Sequence, residues 1–75
     1  MESYRVLNMM IDDDFAVEEY VTVEYAQDRK VYSITFKKAD LEVINAWLFE
    51  DGTSYPTEIP HEVLESIRDD VRKRI

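Results

Sequence analysis

The stretch DLEVINAWLFEDG, residues 40–52, decides how this chain folds, because it reads two ways. As a helix, Leu41, Val43, Ile44, Trp47 and Leu48 fall within one arc of about 160°. Glu42, Asn45 and Glu50 then lie mostly opposite, with Phe49 as the misfit. Asp40 would cap the first turn and Gly52 would stop the last. As a strand, Leu41, Val43, Trp47 and Phe49 share one face, and Ile44, Ala46 and Leu48 the other. Both faces then need burial, which so small a domain rarely provides. That argument favours helix, while Asp51-Gly52, a hairpin signal, keeps the strand open.

The flanking segments are plainer. Downstream, Pro60 opens a helix in which Val63, Leu64, Ile67, Val71 and Ile75 occupy one arc of about 120°. Glu62 and Glu65 come early and Arg72, Lys73 and Arg74 late, as the helix dipole prefers. Asp69 with Lys73, and Asp70 with Arg74, have i,i+4 spacing. Upstream, Tyr4–Ile11 is rich in strand formers and ends at Asp12-Asp13-Asp14, a turn. Val17–Tyr25 alternates, with Val17, Val21, Val23 and Tyr25 on one face and Glu18, Tyr20, Thr22 and Glu24 on the other; Glu19 breaks the pattern. Lys30–Lys37 places Tyr32, Ile34 and Phe36 inward.

Opposing residues of an antiparallel pair point to the same face. Tyr25 with Tyr32, Val23 with Ile34 and Val21 with Phe36 satisfy that rule around a two-residue Asp28-Arg29 loop. Arginine suits the positive φ of such a loop poorly, so a four-residue Gln27–Lys30 loop is the fallback. The same rule pairs Ile11 with Val17, Met9 with Glu19 and Leu7 with Val21. The expected fold is α+β: a three-stranded antiparallel meander with two C-terminal helices on one face, in a single domain spanning residues 1–75. The alternative is a four-stranded sheet with one C-terminal helix.

Composition narrows function. The 75 residues include 17 acids, 9 bases, one histidine and no cysteine, for a net charge of −8. Residues 1–27 carry seven acids and one base, and residues 41–65 six acids and no base. Direct nucleic-acid binding and docking on an anionic membrane both need clustered Lys and Arg, so neither is expected. No apolar run approaches the ~18 residues of a membrane span. Without cysteine there is no disulfide framework or thiolate metal site, which favours an intracellular, cytoplasmic setting. The N-terminal MESYR lacks the apolar stretch of a signal peptide. Hydrophobic content of 45% argues against disorder.

Catalytic candidates are weak. His61 sits in a helix's first turn without a local partner, and the serines lack a nucleophile motif. Asp12, Asp13 and Asp14 offer hard oxygen ligands, but adjacent residues do not converge and no glycine permits the sharp turn of an EF-hand loop. No metal, cofactor or enzyme activity is expected. The outward sheet face is the more informative surface. In the register above it gathers Tyr4, Met10, Glu18, Tyr20 and Glu24 beside the Asp12–Asp14 turn, aromatic and apolar groups among acids that suit a basic protein partner.

The leading expectation is a non-catalytic acidic protein-binding module. Its sharper form is an inhibitor occupying the basic groove of a nucleic-acid-handling protein, since alternate strand residues lie about 7 Å apart, near the phosphate spacing. A second expectation is a structural homodimer or accessory subunit joined through the uncharged Leu7–Ile11 edge. A small metal-dependent enzyme is the remaining alternative, against the expectation of no catalysis.

Overall fold

The structure, a computed structural model, describes residues 4–12 and 19–74. Five antiparallel strands form one sheet in sequence order: β1 (Arg5–Asp12), β2 (Tyr20–Gln27), β3 (Lys30–Lys37), β4 (Val43–Glu50) and β5 (Thr53–Pro56). One helix, α1 (His61–Arg74), follows. The class is α+β with an antiparallel sheet, as in the alternative of a sheet with a single C-terminal helix, here extended by the short β5.

Residues 40–50 are therefore not a helix. Two features overturn that expectation. First, Ile44 is an extra residue: Thr35 pairs with Asn45 but Phe36 pairs with Val43. This bulge brings Val43 onto the same face as Ala46 and Leu48, so the strand has one core-facing row. Second, Trp47 and Phe49 are not core residues; they stand on the opposite face, where Phe49 is exposed. Asp51-Gly52 closes a two-residue hairpin with φ of 54° and 76°, and Tyr55 and Pro56 belong to β5 rather than to an inter-helix loop. Asp40 caps no helix: its carboxylate accepts the Glu42 N–H at 3.0 Å within the β3–β4 turn. In that turn Leu41 takes φ +58° yet is buried, and its carbonyl accepts Arg68 Nε of α1 at 3.0 Å.

The β2–β3 hairpin has the expected register, Tyr25 opposite Tyr32, Val23 opposite Ile34 and Val21 opposite Phe36. Its loop is the tight Asp28-Arg29 pair, both residues at positive φ (52° and 65°). Holding arginine there costs about 1 kcal/mol, which an eight-pair ladder offsets. Because β4 lies beyond it, β3 is central rather than an edge.

The β1–β2 register differs from the expected one by four residues: Ile11 pairs with Val21 and Met9 with Val23. A second bulge leaves Leu7 without a partner, since Val6 pairs with Tyr25 and Asn8 with Glu24. Val6 therefore points to the core side and not outward.

The core lies between the sheet and α1. Val21, Val23, Tyr25, Ile34 and Phe36 from the sheet meet Val63, Ile67 and Val71 of α1, with Leu41 closing one end. Each such aliphatic side chain contributes roughly 1.5–3 kcal/mol by leaving water. Pro60 precedes the helix and its carbonyl accepts the Leu64 N–H at 2.9 Å. Asp69 pairs with Lys73 at 3.3 Å as expected. Asp70, expected to face Arg74, receives the Tyr4 hydroxyl instead.

Candidate functional site

Among the described residues only one face of the sheet carries a second layer. The other face can be read row by row from the strand registers, because residues directly opposite share a face. One row runs Arg5, Ala26, Val31, Phe49, Ser54; the next Asn8, Glu24, Ser33, Trp47, Pro56; the next Met10, Thr22, Thr35, Asn45; the last Asp12, Tyr20, Lys37. The first two rows bring Ala26, Val31, Trp47, Phe49 and Pro56 together across β2 to β5. This is the largest apolar gathering on the open face. Phe49 keeps 41% of its surface exposed, and Ser33 is buried between its larger row neighbours Glu24 and Trp47.

Polar groups fill most of the remaining positions of this face, and two pairs of them meet. The Thr22 and Thr35 hydroxyls lie 3.3 Å apart, and Asn8 Nδ2 points at Glu24 Oε1 from 3.5 Å, a weak contact. Charge is mixed: Glu24 and the Asp12 position stand with Arg5 and Lys37. Among the described residues no group of three or more His, Asp or Glu side chains is placed to hold a metal ion. No helix there is long and apolar enough to cross a membrane.

The expected site is thus partly assembled. Tyr20, Glu24 and Met10 share the open face with the Asp12 position, and Met10 is 48% exposed. Asp13, Asp14 and Glu18 lie outside the described residues. Tyr4 does not belong to this face. Its ring packs edge-on against Tyr25 at 5.7 Å, and its hydroxyl reaches α1, 2.7 Å from Ser66 Oγ and donating to Asp70 Oδ2 at 3.1 Å. The Leu7 bulge is the cause: an extra residue reverses the parity of everything before it. Burial, with the Asp70 carboxylate adding to it, holds the Tyr4 phenol above its ordinary pKa against the opposing effect of the Ser66 hydrogen bond.

The helix reading of residues 40–52 puts Trp47 in the core, and the sequence does not single out Ala26; Val31 falls outward, as the alternation of Lys30–Lys37 implies. The signal was present: the strand reading of residues 41–50 put Trp47 and Phe49 on one side, and Asp51-Gly52 marked the hairpin.

Two features lie on the helix side. Tyr25 stacks on Tyr32 with centroids 5.0 Å apart and is fully buried, and neither its hydroxyl nor Gln27 Nε2 has a hydrogen-bond partner in the protein. Burial pushes the Tyr25 phenol far above its ordinary value, with Tyr32 and Tyr4 adding to it. A shallow groove of about 420 Å³ runs between β4 and the segment leading to α1, lined by Val43, Ala46, Ile59 and Leu64 with Glu58 at its rim.

No family model matches the sequence, and neither a curated protein nor a solved structure matches it.

Proposed function

We propose that this chain is a non-catalytic protein-binding module that docks a partner on its open sheet face. The observation that carries this reading is the cluster of Ala26, Val31 and Phe49 with Trp47 and Pro56 of the next row, on a face with no covering layer among the described residues. Aromatic groups are the commonest anchors of protein interfaces, and a flat sheet presents them rigidly. The partner we infer has an apolar patch within a basic surface. A net charge of −8 steers such a partner into encounter and disfavours acidic competitors. The nucleic-acid-mimicking form has thinner support: on the described open face Glu24 and the Asp12 position alternate with Arg5 and Lys37 instead of forming a line of carboxylates. A second reading, a self-associating subunit, is favoured by one observation, the uncharged edge of β1.

Trp47 is the only tryptophan, so it reports on its own surface. The test is a titration of a partner, isolated from the native host, followed by Trp47 fluorescence at low and high salt. Binding is expected to shift the emission to the blue, to weaken as salt rises, and to fall by roughly 30-fold in Phe49→Asp, the ~2 kcal/mol of an aromatic anchor. An unchanged spectrum, or a Phe49→Asp protein that folds and binds normally, refutes the assignment.

A further inference from the structure

We propose that two copies of this chain pair antiparallel through their β1 edges, about a two-fold axis at Met9, to build one ten-stranded sheet. The two edges of the sheet differ. The β5 edge is four residues long and ends at Pro56, both features that block strand addition. The β1 edge is eight residues long, without a charge from Val6 to Ile11. Three of the six exposed large apolar residues among those described, Leu7, Met10 and Ile11, lie on it.

The strand is complementary to itself. Within residues 8–11, Asn8 and Met10 point to the open face and Met9 and Ile11 to the helix face, with the Asp12 position next in the register; across the bulge, Val6 points to the helix face and Arg5 to the open face. A symmetric antiparallel pair must oppose residues of like face. Setting Met9 against the partner copy's Met9 does so along the whole strand: Asn8 meets Met10, Val6 meets Ile11, and Leu7 remains the extra residue in each copy. The same register puts Arg5 opposite Asp12 at both ends, an opposite-charge pair across strands. Centring the axis on Asn8 or Met10 loses that pairing and leaves an end of the strand unmatched.

The axis stands perpendicular to the sheet, so both helices lie on one side and both open faces on the other. The dimer therefore joins two Trp47–Phe49 surfaces into one plane, which gives a multivalent partner two equivalent docking sites. This deepens the proposed function, but its electrostatics are opposite. Two copies at −8 repel, so added salt strengthens dimerisation while it weakens binding of a basic partner.

Sedimentation equilibrium over a range of concentrations tests it, with a dissociation constant on the order of micromolar expected for one edge pair. Arg5→Asp sets like charges opposite at both ends and should weaken association about tenfold. Adding Asp12→Arg should restore it, an outcome that a folding defect cannot produce, because Arg5 and Asp12 lie at opposite ends of one strand. The chain has no cysteine, so Met9→Cys should oxidise to a linked dimer much faster than Phe49→Cys. A chain that is monomeric at all concentrations and salts, a charge swap that fails to restore association, or equal cross-linking of the two cysteine variants overturns the proposal. None of these would touch docking on the open face, which the Phe49→Asp titration tests separately.

Discussion

Replacing Tyr4 by phenylalanine isolates a hydroxyl that ties the first strand to the last helix. The ring and its edge-on contact with Tyr25 remain, while the oxygen that links Ser66 Oγ (2.7 Å) and Asp70 Oδ2 (3.1 Å) is removed. Tyr4 has one proton. If it is given to Asp70, then Ser66 donates in turn, and the three groups form a chain. A neutral hydrogen bond contributes about 0.5–1.5 kcal/mol and one to a carboxylate about 1.5–3 when buried. Tyr4 is only partly buried, so water replaces some of what is lost. The expected cost is about 1–2 kcal/mol, and each kilocalorie lowers Tm by roughly 4–8 °C in a domain of this size. Urea denaturation of Tyr4→Phe, Asp70→Ala and the double variant measures it, with a coupling of about 0.5–1 kcal/mol expected between the two sites. A tyrosine on the open face would give a silent substitution and no coupling. That result would place Tyr4 back on the solvent side and remove the Leu7 bulge with it.

Deleting Leu7 should leave Val6 and Asn8 on their present faces, since they already alternate across the bulge; a cost below about 1 kcal/mol is expected by denaturation, against loss of folding when Met9 is deleted and the strand's faces invert. Arg29→Gly relieves positive φ at a hairpin corner and should raise stability by about 0.5–1 kcal/mol, read from the urea midpoint; a fall would mean that the loop is not the tight two-residue turn. Stability should decline in alkali: the folded state holds the Tyr25 proton more tightly than the unfolded chain does, so the stabilisation is complete below pH 10 and lost as pH rises toward the folded value. The slope is up to about 1.4 kcal/mol per pH unit from this phenol. Tyr25→Phe should flatten it and, because the hydroxyl has no protein partner, cost little or nothing at neutral pH; an unchanged alkaline slope would show that Tyr25 is not the group responsible.

The parts of this fold that can be read in the sequence are those where one periodicity runs unbroken. The strict alternation from Val21 to Tyr25 and from Tyr32 to Phe36 fixes both the faces and the mutual register of β2 and β3, since the short Asp28-Arg29 connection leaves no other pairing. Val63, Ile67 and Val71 fix α1 in the same way. The register of β1 is not fixed so tightly. Parity allows any shift by an even number of residues, and without a short turn to set the offset, Ile11 opposite Val17 and Ile11 opposite Val21 satisfy it equally. The structure takes the second, which places Met9 against Val23 rather than against Glu19.

The two bulges account for the rest, and they bear directly on the proposed function. A one-residue insertion in a strand combines apolar positions from two parities, and the mixture imitates the spacing of a helix; Val43, Ala46 and Leu48 share a face only because Ile44 is looped out between the first two. Leu7 and Ile44 themselves give no cue for this, because each would fit a regular strand as well as a bulge. Yet each bulge decides which aromatic groups reach solvent. The one at Leu7 withdraws Tyr4 from the open face and attaches it to α1. The one at Ile44 lets β4 contribute Val43 to the core and still present Trp47 and Phe49 on the other side. An all-apolar reading of residues 41–49 assumes that every large side chain must be buried, whereas this sheet leaves six exposed, half of them on the β1 edge and Phe49 on the open face. Their placement, rather than the net charge alone, is what the proposed docking reading rests on.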